Sequence, residues 1–183
     1  MHWTKWSWLA SAGVLVVLSV AWVLFSSELL GVSNCPILTR LRPVQVVLAG
    51  EADYAEMERE PAMGLFPAFR VRVQGNGLVD WDGERCVATI GRREARIDPQ
   101  DAKALIERFE SRGFCRLCGN YLPDATDVGA RRFTLSVRGQ RQDVIDQSRR
   151  APEIFDDLYG DLERAAHFDR WIGDVPEQHC RLQ

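Results

Sequence analysis

Residues 69–82 have the sequence Phe-Arg-Val-Arg-Val-Gln-Gly-Asn-Gly-Leu-Val-Asp-Trp-Asp, in which apolar and polar side chains alternate around a glycine-rich centre. A period of two is typical of a half-buried strand, and Gly-Asn-Gly is typical of a tight turn. The stretch therefore predicts a β-hairpin with one apolar face and one charged face.

The side chains also decide how the two strands of this hairpin pair. A two-residue loop would set Val73 opposite Asp80 and bring a carboxylate to the apolar face. A three-residue loop at 75–77 sets Val73 opposite Val79, and Gly77 then takes a positive φ in a bulge. Burial and cross-strand pairing, the latter worth about 0.2–1 kcal/mol per pair, favour the three-residue loop. The predicted pairs are Val73–Val79, Arg72–Asp80, Val71–Trp81 and Arg70–Asp82, so the arginines form a paired solvent face rather than an anion site.

The segment after this hairpin carries the signals of an amphipathic helix. Asp98 is a candidate N-cap, Pro99 fits the first helical position, and Gly113 is placed to end the helix. Apolar residues recur three, four and seven positions apart, as one helical face requires. They are Ala102, Leu105, Ile106 and Phe109.

A second hairpin and a second helix follow. Residues 131–137 and 142–146 are predicted strands joined by a turn at Gly139, and Pro152 starts the helix. The predicted inward residues of the first strand are Phe133, Leu135 and Val137, with Thr134 and Ser136 outward. The helix face is Phe155, Leu158, Tyr159 and Leu162, and Phe168, Trp171 and Ile172 supply an apolar lid.

Three other segments have shorter patterns. Residues 44–48 predict a first strand, and residues 85–90 predict a third strand in which Cys86 is a buried thiol outside any disulfide. Residues 51–60 hold five acidic residues without the spacing of a calcium loop, so we expect a solvated loop or a short helix. A face of the sheet or this acidic segment is the expected binding surface.

This order of elements predicts an α+β fold, an antiparallel sheet with helices on one face. The reversals are too short for parallel crossovers. Residues 42–172 form the predicted domain, and residues 173–183 form a carboxyl-terminal tail.

The amino-terminal region has a different composition. Residues 6–27 contain no charged side chain, a run of 22 residues. A helix of that length spans about 33 Å, enough for the roughly 30 Å of bilayer hydrocarbon. We expect a transmembrane signal anchor here, with cleavage at the small-residue site 31–33 as the alternative. The tryptophans suited to the headgroup level are Trp3, Trp6, Trp8 and Trp22.

The residues that flank this run indicate how the predicted helix is oriented in the membrane. Lys5 lies in a five-residue head, residues 1–5, and favours an orientation with the head inside. Residues 28–41 form a linker to the domain. The prediction is a single-pass protein of a bacterial inner membrane with its bulk in the periplasm.

Composition and motifs limit the chemistry. The chain has 183 residues, and the 46% that are hydrophobic exclude a disordered chain. Its formal net charge of −3 lacks the excess of positive charge that is typical of nucleic-acid-binding proteins. No nucleophile elbow, metalloprotease helix, phosphate loop or dinucleotide fingerprint occurs. His167 with Asp169 could act as a base, but a histidine at a helix end is the favoured explanation. We expect no catalytic residues, no cofactor and no resident metal, and a role in binding a protein or envelope ligand.

Several segments share the turn and strand motifs of one family. They are Gly-Leu-Phe-Pro-Ala-Phe at 64–69, Gly-Asn-Gly-Leu-Val-Asp-Trp-Asp-Gly at 75–83, Ile-Asp-Pro at 97–99 and Asp-Ala-Thr-Asp at 124–127. Over residues 42–172 they resemble an uncharacterised bacterial domain of unknown function, with the pattern Cys-Phe-Gly-x-Cys-Pro-x-Tyr and Gly-Asp-Gly-x-Val-x-Tyr-x-Gly. The resemblance implies a fold and a secreted or membrane-tethered protein, and no activity. Ala62 and Phe66 replace both motif cysteines, which implies that these two bond each other in the family and that an apolar contact substitutes here.

The cysteines of the chain leave three interpretations open. The five are Cys35, Cys86, Cys115, Cys118 and Cys180. Cys115-x-x-Cys118 fits structural disulfides, half of a zinc site completed by His179 and Cys180, or a redox dithiol. An oxidising compartment favours disulfides, and we expect Cys115 or Cys118 to bond Cys180. The zinc and thiol-redox interpretations form the alternative function.

Overall fold

A computed structural model describes residues 48–61, 66–117, 119–121, 129–147, 152–175 and 180. Contacts divide the chain into Met1–Asn34 and Cys35–Gln183, and every described residue belongs to the second unit. The predicted transmembrane segment, 6–27, lies outside the described residues. Within them, none of the helices has the length and apolarity needed to cross a bilayer.

The described residues have an α+β fold built on a seven-stranded sheet with the order β4-β3-β2-β1-β6-β7-β5. The strands are β1 (Tyr54–Arg59), β2 (Ala68–Gln74), β3 (Leu78–Arg85), β4 (Gly91–Arg96), β5 (Asn120–Tyr121), β6 (Arg131–Val137) and β7 (Gln140–Asp146). The helices are α1 (Pro99–Ser111), α2 (Ile154–Ala166) and the short α3 (Asp169–Ile172), with a 3₁₀ turn at Phe114–Arg116.

The neighbouring strands are antiparallel except at one edge, where β5 and β7 run parallel. The expectation of a wholly antiparallel sheet is therefore wrong there. It assumes that successive strands pair with each other. The two-residue strand β5 pairs instead with β7, beyond the intervening β6, and parallel pairing then needs no short reversal.

The register predicted for the β2–β3 hairpin is confirmed. Val73 pairs with Val79 and Val71 pairs with Trp81, so the apolar side chains share one face. Gly77 has a φ of +83°, and a Cβ at this position would lie 2.4 Å from the carbonyl oxygen of Ile97. The glycine is therefore required both by the bulge and by the close approach of the chain before α1. The charged pairs Arg72–Asp80 and Arg70–Asp82 are in register as well.

Both predicted helices are present with their apolar faces inward. The carboxylate of Asp98 accepts a hydrogen bond from the N–H of Gln100 at 2.7 Å, which caps α1 as predicted. Tyr159 of α2, predicted inward, is half-buried. The buried residues are Ala102, Leu105, Ile106 and Phe109 on α1, and Phe155, Leu158, Asp161, Leu162 and Ala166 on α2.

Aromatic rings close the core between the sheet and the carboxyl-terminal residues. Trp81 stacks on Phe69 with ring centroids 4.8 Å apart, and Phe168 packs on Phe69 at 5.5 Å. Trp171 contacts Trp81 at 5.4 Å, so the predicted apolar lid lies over this tryptophan. The indole N–H of Trp81 donates to the carbonyl oxygen of Thr89 at 3.0 Å, which satisfies its one polar group.

The sequence predicts a loop or short helix at 51–60, and this prediction is wrong because residues 54–59 form the central strand of the sheet. Ala55 and Met57 are fully buried, while Glu56 and Glu58 occupy the alternate positions. The strand alternation is therefore present in the stretch. Its polar positions are filled by carboxylates, which suggest a solvated segment when counted by charge alone.

The predicted strand at 85–90 is also corrected, whereas the one at 44–48 lies outside the described residues except for Leu48. β3 continues to Arg85, residues 86–90 form a bend, and the next strand is β4. β4 has the sequence Gly-Arg-Arg-Glu-Ala-Arg and lies at a sheet edge, where burial imposes little alternation. Of the segment 44–48, the structure describes Leu48, which is 78% exposed and outside any strand.

A buried carboxylate ties α1 to α2. Asp161 of α2 is 1% exposed and accepts hydrogen bonds from Arg112 Nε at 2.7 Å and Arg108 Nη1 at 3.3 Å. Arg164 pairs with the same carboxylate. Burial alone would raise the pKa of Asp161, but the hydrogen bonds and charge of Arg112, followed by those of Arg108, outweigh burial and hold the pKa below its ordinary value.

We expect Asp161→Asn to lower the free energy of unfolding by about 1–3 kcal/mol, because the buried group shared by three arginines loses its negative charge and one of its two acceptor oxygens. Asp157→Asn is the matched control. Asp157 also pairs with Arg112, at 2.8 Å, but is 57% exposed, so its loss should cost less than about 1 kcal/mol. Urea unfolding of the two variants measures the difference.

The same substitution has a defined pH dependence. A carboxyl whose pKa is lowered by folding stabilises the protein above its unfolded-state pKa, about 3.9, and this stabilisation is lost as the pH falls through the lower folded-state pKa. The gap between the wild-type protein and Asp161→Asn should therefore be steady from about pH 7 to 5 and shrink below about pH 4. Equal losses for Asp161→Asn and Asp157→Asn at pH 7 would contradict this account.

Candidate functional site: the charged face of the sheet

In the described part of the chain, the helices cover one face of the sheet and leave the other face open. The open side chains change sign from strand to strand. We call eight of them the charged face: Glu56 and Glu58 on β1, Arg70 and Arg72 on β2, Asp80 and Asp82 on β3, and Arg92 and Glu94 on β4. The predicted binding surface on the sheet is therefore a face of mixed charge.

Strand register arranges the charged face in two rows. One row runs Glu56, Arg72, Asp80, Glu94, and the other runs Glu58, Arg70, Asp82, Arg92. Opposite charges directly across neighbouring strands stabilise a sheet, and like charges destabilise it. The like-charged pair Asp80 and Glu94 is the exception. Arg92 lies two residues from Glu94 on β4, and therefore on the same face, where it supplies a positive charge beside this pair.

Glu56 and Arg72 form the most buried ion pair of this face. The Glu56 side chain is 7% exposed and accepts a hydrogen bond from Arg72 Nε at 2.6 Å. The Arg72 guanidinium also lies over the Tyr54 ring, 4.4 Å from its centroid. Arg72 thus turns toward β1, and Asp80 on the other side accepts a hydrogen bond from Gln74 Nε2 at 2.9 Å.

The pairs nearer the edge of the sheet are looser. Asp82 is 3.5 Å from both Arg70 and Arg92, and the side chains of these arginines are 43% and 84% exposed. Such exposed pairs are each worth about 0–1 kcal/mol, so an incoming group can replace them at little cost.

A depression of about 260 Å³ lies on this surface. It is lined by the charged face except Glu58, together with Trp81 and Arg93. Its described walls place guanidinium donors beside carboxylate acceptors. The depression can therefore bind groups that carry both hydrogen-bond donors and acceptors.

Next to the charged face, Thr134 of β6 is buried although the sequence predicts it outward. Its hydroxyl donates to Asp143 Oδ1 at 2.6 Å, and Arg141 Nη2 donates to the same oxygen at 2.8 Å. Burial alone would raise the pKa of Asp143, but the bonds from Arg141 and Thr134 outweigh it and lower that pKa. Thr134 is thus buried beneath an ion pair on the open side of the sheet.

Sequence reasoning assigns Tyr54 and Glu56 to a loop or short helix, and so misses their contacts with Arg72 on the sheet. The signal that could find them is the alternation of 54–59, in which the buried residues Ala55 and Met57 separate them from their neighbours. The register of β2 with β3 does predict the arginine and aspartate rows.

The predicted cysteine site is described in part. Cys115 is half-buried in the 3₁₀ turn and packs against the core, and Cys180 is buried. Cys118 and His179 lie outside the described residues, so the proposed zinc set and a bond from Cys118 stay predictions. Cys86, Cys115 and Cys180 carry thiols, and no group of three or more candidate metal ligands occurs among the described residues.

The buried thiol of Cys86 has a contact that the sequence does not predict. Its side chain is hydrogen-bonded to Cys180. Burial, followed by this hydrogen bond, raises the pKa of Cys86 to about 11, so Cys86 stays protonated at neutral pH.

His167 occupies the position expected for a helix-end histidine. It is the C-cap of α2, with a φ of +49°, and its backbone N–H donates to the carbonyl oxygen of Glu163 at 2.8 Å. His167 and Asp169 are both exposed. This placement agrees with a capping role.

A comparison with protein families matches residues 53–166, more than half of the chain, to a family described as Domain of unknown function (DUF6438). The match begins just before β1 and ends with α2, and thus includes the whole sheet. A search of the curated proteins finds no matching relative. The resemblance to an uncharacterised family is confirmed at this level. Of the two positions that replace the motif cysteines, Ala62 lies outside the described residues, and Phe66 is 53% exposed with the Arg59 guanidinium 5.7 Å from its ring centroid.

A pair of double-mutant cycles tests which ion pairs hold the charged face together. We expect a coupling of about 1–2 kcal/mol between Glu56 and Arg72, from Glu56→Gln, Arg72→Met and the double variant, because this pair is largely buried. The matched cycle, Asp82→Asn with Arg92→Met, should give less than about 0.5 kcal/mol because Arg92 is exposed. Chemical unfolding gives both values, and a coupling at Asp82–Arg92 as large as that at Glu56–Arg72 would contradict the assignment.

Proposed function

Because the chain belongs to the family Domain of unknown function (DUF6438), whose description assigns no activity, we propose a function from the geometry: a non-enzymatic module that binds a protein partner through the charged face. The observation that carries this proposal is an open sheet face whose charges alternate across β1, β2 and β3 around a shallow depression. Regular rows of side chains on a rigid sheet can match a partner of complementary pattern without rearrangement of the backbone.

The charges of the face favour a protein partner over a nucleic acid. Five carboxylates and three guanidinium groups occupy it, so it lacks the excess of positive charge that phosphate binding requires. A polypeptide that carries both lysine or arginine and aspartate or glutamate would meet opposite charges in each row. The exposed pairs at Asp82 are the groups that such a partner would displace.

We place this module outside the cytoplasmic membrane, tethered by the uncharged run at 6–27. The support is the length of that run and the tryptophans at its ends. A head of five residues with Lys5 supports an orientation in which the domain faces the periplasm.

Site-directed photo-crosslinking tests the binding surface. A photoreactive phenylalanine analogue in place of Glu94, which is exposed on β4, should give a discrete crosslinked product in cells that express the full chain. The same analogue in place of Ala104, exposed on α1, is the matched control and should give no such product. Adding Arg92→Glu should reduce the product at position 94 several-fold. Equal products at positions 94 and 104, or none at position 94, would contradict the proposal.

Cysteine labelling tests the location independently. Gln140 is the exposed first residue of β7, next to the β6–β7 turn, so Gln140→Cys presents a reactive thiol on the folded domain. A membrane-impermeant maleimide should label this variant in intact spheroplasts, above the level of the unsubstituted chain. Labelling that appears after lysis alone would place the domain in the cytoplasm.

A further inference from the structure

The carboxyl-terminal residues are held against the bend between β3 and β4. The backbone N–H groups of Ala88 and Thr89 donate to the carbonyl oxygens of Ile172 and Trp171, at 2.8 and 3.0 Å. A Cβ at Gly173 would lie 2.7 Å from the Cβ of Ala88, so the two backbones are in close contact. The chain beyond α3 therefore starts from a fixed position beside the bend.

Two cysteines lie together at this junction. Cys86 begins the bend and Cys180 follows α3, and their side chains are 3% and 7% exposed. The two thiols are hydrogen-bonded to each other, so their sulfur atoms are neighbours. Cys86 has a φ of +54°, a conformation that surrounding contacts must hold in a residue other than glycine.

We propose that Cys86 and Cys180 form a structural disulfide that closes the carboxyl-terminal segment onto the β3–β4 bend. This assignment replaces the expected bond from Cys115 or Cys118 to Cys180. It rests on the proposed periplasmic location, because disulfides persist in oxidising compartments. Its function is to hold Trp171 over Trp81 at the end of the aromatic core.

The bond forms by thiol–disulfide exchange with a disulfide oxidant. The thiolate of one cysteine attacks the oxidant's disulfide, giving a mixed disulfide and releasing one oxidant thiol. The second cysteine loses its proton and displaces the other oxidant thiol, so the protein loses two hydrogens and the oxidant gains two. In the folded protein the buried Cys86 thiol, with its raised pKa, reacts slowly, because the thiolate is the nucleophile. The bond therefore forms before the junction is fully packed, and burial then protects it from reductants.

Peptide mapping of the full chain, purified in detergent and refolded with oxidised and reduced glutathione, tests the pairing directly. Trypsin separates the relevant cysteines, since it releases Cys86 in 86–92, Cys115 in 113–116 and Cys180 in 171–181. We expect 86–92 linked to 171–181, and the link should disappear after reduction. A link from 171–181 to 113–116 or to the peptide that carries Cys118, or alkylated thiols at both Cys86 and Cys180, would overturn the proposal.

Stability gives a second readout with a matched control. The bond closes a loop of roughly a hundred residues, so oxidation should raise the Tm by at least about 5 °C. Cys180→Ser should abolish this difference between oxidised and reduced protein, whereas Cys115→Ser should retain it. If Cys180→Ser retains the full difference, the proposed bond does not account for it.

Alkylation in living cells separates this proposal from the proposed location. Cells are quenched with acid and treated with a thiol reagent of high mass before and after reduction. Protection of Cys86 and Cys180 in cells supports the disulfide in its compartment. If Cys86 and Cys180 form a disulfide in the glutathione refolding but are fully alkylated in cells, the periplasmic disulfide and the proposed location are both overturned. The conclusion that the two cysteines are close enough to bond would still stand. Failure in glutathione overturns the pairing whatever the location.

Discussion

The sheet depends on the pairing of β1 with a neighbour on each side. β2, β3 and β4 lie to one side of it and β6, β7 and β5 to the other, so the two halves of the sheet meet at this strand. Ala55 and Met57 fill the core below it, and the buried Glu56 meets Arg72 above it. Just before β1, the carboxylate of Asp53 accepts hydrogen bonds from the backbone N–H groups of Gly50 and Arg138, at 2.7 and 2.8 Å. These bonds join the turn at 50–53 to the β6–β7 turn. A strand with both edges paired and both faces occupied fixes the positions of the helices and of the charged rows.

Local sequence patterns predict the β2–β3 hairpin and the helices α1 and α2, but they fail to predict the central strand β1. The β2–β3 register follows from which face a carboxylate can occupy, and α1 follows from its cap and its apolar spacing. Ala55 and Met57 of β1 alternate with carboxylates, but its three charged side chains suggest a solvated segment. Edge strand β4 has no apolar alternation to detect, because its side chains are exposed or half-buried on both faces. Which strand becomes central is decided by long-range pairing, and no local window contains that information.

The candidate site is also predictable in part: the sequence predicts which residues of β2 and β3 form its rows but not how they pair. The rows of arginine and aspartate on β2 and β3 follow from the hairpin. Their actual partners do not, since Arg72 turns to Glu56 and Tyr54 on a strand that the sequence assigns otherwise. The contact between Cys86 and Cys180 has the same origin, because it depends on the fold bringing α3 against the β3–β4 bend. The sequence predicts a bond from Cys115 or Cys118 to Cys180, whereas the structure places Cys86 in contact with Cys180.

The central position of β1 also governs the order in which the chain can fold. One edge of β1 pairs with β2, which follows closely in the chain, but the other edge pairs with β6, which comes much later. The separation is shown by the hydrogen bond from Arg138, just after β6, to Asp53, just before β1, because these residues are 85 positions apart. Closing so long a loop is slow, so the unpaired edge of β1 is exposed while the rest of the chain is made. An exposed strand edge is a site for aggregation, and charged side chains along a strand oppose it. Glu56 and Glu58 place negative charge along β1, which opposes association of unfolded chains through this edge, and in the folded protein Glu56 is the buried half of an ion pair.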